Sequence, residues 1–186
     1  MGLLIYGANG YTGRIMVEDA HTFGLKPVLG GRSKEAIKEL ADKKGLDYVI
    51  FDLNNAAETE KALQNIDVVI HCAGPFRFTA RQMMEACLKT NTHYLDITGE
   101  INVFELGASL NQRAIERGIL LMPGVGFDVV PTDCLASFLK HQLPSATSLK
   151  LAFAGLGGGM SKGTTLTMVE GMGEGSKVRE NGKIVS

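Results

Sequence analysis

Apolar positions along the first 122 residues switch repeatedly between two spacings, a short continuous run and then a 3.6-residue stripe. Leu3-Leu4-Ile5-Tyr6 is such a run. Behind it Met16, Ala20 and Phe23 fall at i, i+4 and i+7, beside Ile15 and Val17. Residues 26–30 read as a second short strand. Over 33–44, Ala36, Ile37, Leu40 and Ala41 return at helical spacing, with Ser33 placed as the N-cap. Residues 48–51 make a third strand closed by Asp52, and 55–65 a polar helix carrying Ala62 and Leu63. The run 68–72 is nearly continuous in apolar side chains, which suits a parallel strand covered on both faces. Ala80, Met83, Met84, Cys87 and Leu88 give the cleanest helical stripe, over 79–90. A fifth strand follows at 94–97, then a helix marked by Val103, Leu106, Leu110 and Ala114 that ends at Gly118. The sixth strand, 119–122, stops at Pro123-Gly124.

Six short strands joined by helical crossovers predict an α/β fold, a doubly wound parallel sheet of the Rossmann kind, over residues 1–133. After about residue 130 the rhythm changes. Cys134, Leu135, Phe138 and Leu139 predict a helix that closes the sheet, and 148–153 alternates like a half-exposed antiparallel strand. The glycine-rich stretch 155–164 lacks the G-x-x-x-x-G-K-[ST] order of a P-loop and reads as a flexible connection. A helix over 164–172 and a hairpin over 178–185, with Asn181-Gly182 at its tip, complete the chain. Residues 134–186 are therefore expected to be the closing helix and the first elements of an incomplete second, α+β domain.

The first strand runs into Gly7-Ala8-Asn9-Gly10-Tyr11-Thr12-Gly13. An apolar run, a glycine-spaced turn and a helical stripe, in that order, build a phosphate-binding junction. One glycine permits the sharp turn, one lets backbone N–H groups approach a pyrophosphate, and one lets the helix pack close to the sheet. The spacing is G-x-x-G-x-x-G, not the G-x-G-x-x-G of the usual dinucleotide fingerprint. Asn9-Gly10 could also turn a hairpin, but a hairpin needs an alternating strand on each side, and 14–23 has helical spacing instead.

Composition narrows the partners. The 186-residue chain is 45% hydrophobic and 21% charged, enough for a packed core, and its net charge of −1 is spread over both signs. No basic footprint for nucleic acid or an anionic membrane is present. No apolar stretch reaches the roughly 18 residues of a membrane span, and the start does not read as a secretory signal. Met1-Gly2 resembles a myristoylation start, but Tyr6 stands where Ser or Thr is required. Cys72, Cys87 and Cys134 are scattered through apolar segments, without metal-site spacing, and read as buried free thiols of a cytoplasmic protein. His71 and Cys72, as strand neighbours, point to opposite faces, so with His93 they make a poor metal site.

Ligands of an open parallel sheet bind beyond the carboxyl ends of its strands, where strand order reverses. After strand two comes Gly30-Gly31-Arg32-Ser33, with Arg32 placed 19 residues past Gly13. An NAD site puts an acid there for the ribose 2′-hydroxyl; a cation followed by a hydroxyl suits a 2′-phosphate, and so NADP, with a solvated surface arginine as the alternative. Asp52 could accept a hydrogen bond from the adenine amine or cap the next helix. Ala73-Gly74-Pro75-Phe76 ends strand four at the switch point, with Gly74 open to close approach, Pro75 fixing the turn, and Phe76 either walling the nicotinamide or lying in the core. Asp96, Thr98, Gly99 and Glu100, then Gly124, Gly126, Phe127, Asp128, Pro131 and Asp133, gather acids and small residues at the same edge. They suit a polar substrate pocket, a proton donor, or helix caps, and Asp133 in particular reads as a cap. No Ser-His-Asp, Tyr-x-x-x-Lys or Cys-His arrangement is present, so the sequence identifies no catalytic acid or base.

Five segments, 7–14, 30–33, 72–76, 93–100 and 123–133, together resemble the saccharopine dehydrogenase-like oxidoreductases, nearest the branch of the trans-acting enoyl reductases. The resemblance runs from residue 2 to about residue 170. It implies an NADP-dependent hydride transfer on a small-molecule substrate. Gly7, Asn9, Gly10, Tyr11, Thr12 and Gly13 would hold the cofactor with Arg32 and Ser33, while Ala73, Gly74 and Pro75 would lie near the nicotinamide half. Relatives continue for a comparable length, forming a mixed sheet that covers the cofactor and often makes a homodimer. The resemblance therefore implies a chain cut short of its substrate-facing wall, for which a non-catalytic NADP-binding module is the alternative.

Overall fold

The computed structural model describes residues 2–152 throughout, and beyond them 154, 157, 159, 162–172, 175, 178–180 and 183–185. The chain forms two compact units, Met1–Phe153 and Ala154–Ser186.

The first unit is built on six parallel strands: β1 (Leu3–Tyr6), β2 (Val28–Gly31), β3 (Tyr48–Ile50), β4 (Val68–His71), β5 (His93–Asp96) and β6 (Leu121–Met122). Their order is β3-β2-β1-β4-β5-β6. The chain thus winds outward from β1 to β3, then returns to the other side of β1 and winds the opposite way. The loops leaving β1 and β4 diverge at that reversal, which is where such sheets bind ligands.

Side chains alternate across β1 and sort the two faces. Leu4 and Tyr6 join Val69 and Tyr94 in one core, with Leu63, Met83, Met84, Val103 and Ala114 packed over them. Ile5 and Leu29 face the other way, under Val17, Ile37 and Leu40. Helices α1 (Tyr11–Thr22) and α2 (Lys34–Lys44) therefore cover one face, and α3 (Ala56–Ala62), α4 (Ala80–Thr90), α5 (Ile101–Ser109) and α6 (Asn111–Arg117) the other. Met83 and Met84 are fully buried on α4, each contributing roughly 1.5–3 kcal/mol of transfer free energy.

The structure differs from these expectations in several places. The single helix expected up to Gly118 is two, broken at Leu110, where the Ser109 hydroxyl takes the Leu106 carbonyl at 2.7 Å and competes with the helical ladder. The first helix starts at Tyr11, inside the glycine turn, not after it. Asp133 does not cap the next helix: α7 spans Val130–Gln142 with Val129 at its N-cap and Pro131 in its first turn, so Asp133 lies within that turn, beside the helix N-terminus. Residues 148–152 form no strand, since no described strand offers them a hydrogen-bonding partner. Cys134 is exposed on α7, against the expectation of a buried thiol, because no side chain of that helix is buried.

In the second unit, α8 (Lys162–Gly171) precedes an antiparallel pair, β7 (Val178–Glu180) and β8 (Lys183–Val185), with Glu180 opposite Lys183. The expected Asn181-Gly182 tip lies outside the described residues, as does half of the glycine-rich connection.

Candidate functional site

Gly7 leaves β1 with φ +82°, a left-handed conformation that L side chains rarely adopt. A Cβ there would stand 3.0 Å from Ala73 Cβ, Ala73 N and Cys72 C, so the same glycine brings the exits of β1 and β4 into backbone contact. The N–H groups of Gly7 and Ala8 both donate to the Gly30 carbonyl, at 2.8 and 3.2 Å, which ties β1's exit to β2. Gly10 is the N-cap of α1 and has no side chain to satisfy the first helical N–H groups. Gly13 presses the helix onto the turn, its Cβ position only 2.3 Å from the Gly7 carbonyl oxygen. Arg14 Nε braces the loop by donating to the Asn9 carbonyl at 3.1 Å. An open, positively polarised helix end, reached by bare backbone, has the geometry that suits an anion. Because α1 begins at Tyr11, the Asn9-Gly10 hairpin does not form.

The second loop closes on the first. A Cβ on Gly31 would lie 2.9 Å from Ile37 Cδ1, so the missing side chain makes room for α2, and 3.5 Å from Asn9 Oδ1, which places the Asn9 carboxamide at the end of β2. Arg32 follows, exposed, and carries no ion pair among the described residues. Ser33 is the N-cap of α2, as expected, but makes no side-chain cap bond, so its hydroxyl is left for another partner. Burial pushes the Tyr6 phenol up to about 12; the charge of Arg32 opposes that shift and the charge of Asp52 reinforces it. Both groups therefore act at the end of β1. Asp52 does not cap α3. Its Oδ1 accepts from Asn54 N and Nδ2, each at 2.9 Å, while Asn55 caps the helix by accepting from Glu58 N at 3.2 Å.

On the far side of the switch point, Ala73-Gly74-Pro75 carries a cis Gly74–Pro75 bond and exposes Gly74. The Thr79 hydroxyl reaches the Ala73 carbonyl at 2.9 Å and the Pro75 carbonyl at 3.3 Å, and shares a hydrogen bond with His71 Nε2 at 2.9 Å. Phe76 belongs to the core: it is buried, with its ring edge-on to His71 at a centroid distance of 5.3 Å.

The acids beyond β5 are committed to backbone. Asp96 is fully buried; its Oδ1 accepts from Thr98 N at 2.9 Å and Gly124 N at 2.8 Å, and its Oδ2 accepts from the Tyr94 hydroxyl. Burial raises the Asp96 carboxyl, against the lowering effect of those three donors, with the Glu100 charge adding to the rise. Glu100 Oε1 accepts from Phe76 N at 2.8 Å and Oε2 from Arg77 N at 2.9 Å. The two carboxylates thus tie the exits of β4, β5 and β6 together instead of lining an open pocket. Gly124 and Gly126 serve close packing, with Cβ positions 2.5 Å from Phe104 Cε1 and 2.8 Å from Ile97 Cβ. Phe127 and Asp128 are exposed. Sequence reasoning did not single out Thr79 or the donors held by Glu100. A hydroxyl ahead of a helix and an acid at a sheet edge were visible, but not what they hold.

Comparison with known proteins follows the same outline. Residues 3–122 match the family model described as saccharopine dehydrogenase NADP binding domain. The mouse saccharopine dehydrogenase-like oxidoreductase is 25% identical over 203 aligned residues, covering 96% of this chain and 47% of the relative. A trans-acting enoyl reductase of Mycobacterium ulcerans is 26% identical, with 70% of this chain and 33% of that one covered. The chain spans about half the length of the curated relatives it matches. Among solved structures, apo saccharopine dehydrogenase (L-Glu forming) of Saccharomyces cerevisiae superposes with a TM-score of 0.67 at 18% identity, over 77% of this chain and 31% of that one. The matched residues take in every strand of the parallel sheet and the loops that leave β1, β2 and β4, the cofactor is NADP, and the chain belongs to the saccharopine dehydrogenase NADP binding domain family.

Proposed function

We propose that this chain is the cofactor-binding portion of an NADP(H)-dependent oxidoreductase that passes hydride to or from a C=C, C=N or C=O group of a small molecule. The observation that carries the reading is an exposed guanidinium, Arg32, without an ion-pair partner among the described residues, directly past β2, whose last residue Gly31 lies against Asn9 of the glycine turn. The pyrophosphate sits on the Gly7–Gly13 loop, where Gly7 and Gly10 shape the turn with their own N–H groups bonded inside the protein and the N–H groups of Asn9, Tyr11, Thr12 and Gly13 are the donors offered to it. Arg32 and the free Ser33 hydroxyl take the 2′-phosphate. The uncommitted Oδ2 of Asp52 faces the adenine amine, and Ala73, Gly74 and Pro75 lie along the nicotinamide half. The bound dinucleotide supplies the hydride; the protein orients it and excludes water. Residues 134–186 open a second domain that, in longer relatives, would supply the substrate wall and a homodimer contact.

A non-catalytic NADP sensor or scaffold is the second reading. The burial of Asp96 and Glu100, each holding backbone donors of neighbouring loops, favours it, since neither carboxylate is presented to a substrate.

Fluorescence titration with NADPH and NADH tests the shared premise. Wild type should prefer NADPH, and Arg32→Ala should remove about 1.5–3 kcal/mol of that preference, as expected for a charge-assisted contact. An unchanged preference refutes the 2′-phosphate assignment. NADPH oxidation across enoyl, imine and keto acceptors, by a chain of the relatives' length, separates enzyme from sensor.

A further inference from the structure

The turn after β4 is held from outside by an acid of a different loop. Glu100, the N-cap residue of α5, makes no cap bond to its own helix; its buried carboxylate reaches the N–H groups of Phe76 and Arg77 at 2.8 and 2.9 Å, and Arg77 Nε at 3.4 Å. From inside, the Thr79 hydroxyl takes the carbonyls of Ala73 and Pro75. Two side chains therefore fix backbone donors and acceptors over 73–77. A buried carboxylate is a costly way to satisfy two N–H groups, one of them in a half-buried residue that water could serve. What it provides is a fixed geometry.

The sheet order says what that geometry serves. Arg32 lies past β2, on one side of the glycine turn, and residues 73–75 lie past β4, on the other. A dinucleotide draped over the end of β1 with its 2′-phosphate on Arg32 must lay its other nucleoside over β4. The approach there is tight, since Ala73 stands 3.0 Å from where a Gly7 Cβ would be. We propose that Glu100 and Thr79 are positioning residues that set the 73–75 backbone against the nicotinamide half of the dinucleotide, with no part in holding its adenine half. This rests on the NADP reading above.

Two ligands divide the molecule. 2′,5′-ADP carries the adenine half alone, and NADPH carries both and reports its nicotinamide environment by fluorescence. Glu100→Gln keeps the size, but its amide has one acceptor and turns an NH2 toward an N–H donor. Thr79→Val keeps the volume, loses only the hydroxyl, and serves if Glu100→Gln does not fold; circular dichroism accompanies each titration. Both variants should bind 2′,5′-ADP within about twofold of wild type, while NADPH affinity falls about tenfold and the nicotinamide emission change on binding is lost. Wild-type NADPH affinity and emission in the folded variants would overturn the proposal. So would equal loss of both ligands, which would make the pair general props of the fold. If wild type binds neither ligand, the NADP reading itself has failed.

Discussion

A side chain on Gly13 would begin 2.3 Å from the carbonyl oxygen of Gly7 and 2.9 Å from the Cα of Ala8, both backbone atoms that cannot swing aside. Helix α1 is seated on the turn that precedes it by the absence of one methyl group. Gly13→Ala should gain about 1 kcal/mol of helix propensity and lose more through forced separation, for a net destabilisation of about 1–3 kcal/mol. NADPH binding should fall with it, because the uncapped end of α1 moves off the loop. Gly24 (φ +69°), which has no neighbour within 4 Å of its Cβ position, is the control. Alanine there should cost only about 1–2 kcal/mol of left-handed strain and leave nucleotide affinity intact. Thermal melts paired with titrations distinguish the two, and equal nucleotide affinity in both variants would refute the seating role.

His71 makes stability depend on acid. Its ring is fully buried among Tyr6, Phe76 and Tyr94, and burial lowers its pKa from 6.5 to about 3. Between those two values the unfolded chain binds a proton that the folded chain refuses. The contribution is therefore whole above about pH 6.5 and is lost as pH falls toward 3. The expected slope is up to about 1.4 kcal/mol per pH unit from this one residue. Urea unfolding from pH 7 to pH 4.5 should show His71→Leu less stable than wild type at neutral pH but flatter on the acid side by close to one proton. Parallel curves would mean that the imidazole titrates normally in the folded state.

The three cysteines should separate by reactivity. Cys134 is exposed, while burial raises the Cys72 thiol to about 12 and the Cys87 thiol further. Cys72 also has its sulfur against Met16 Sδ at 3.4 Å, under α1. A thiolate reagent at pH 8 should therefore modify one thiol quickly in the native protein and three in denaturant. Cys134→Ser should abolish the fast phase. Rapid modification of Cys72 in the native state would contradict the packing of α1 on the sheet, and rapid modification of Cys87 that of α4.

The order of apolar runs and helical stripes determined the parallel sheet, because side-chain period is a local property and each strand carried its own. The glycine spacing located the sharp turn and the close seating of α1 for the same kind of reason: backbone that must turn left-handed or pack without a Cβ is written with glycine, as at Gly7 and Gly13. The position of Arg32, just past β2, was legible by its distance from that turn. The purposes of the carboxylates were not. Asp96 and Glu100 looked like site chemistry or caps, yet they hold N–H groups 28 and 24 residues away, and such partners exist only once β4, β5 and β6 lie side by side. Phe76 went to the core and Cys134 to the surface on the same ground, since burial depends on which helices pack over a segment and not on the segment's own hydropathy. Local periodicity, in short, is written in the chain; the pairing of groups across loops is decided only when the sheet assembles.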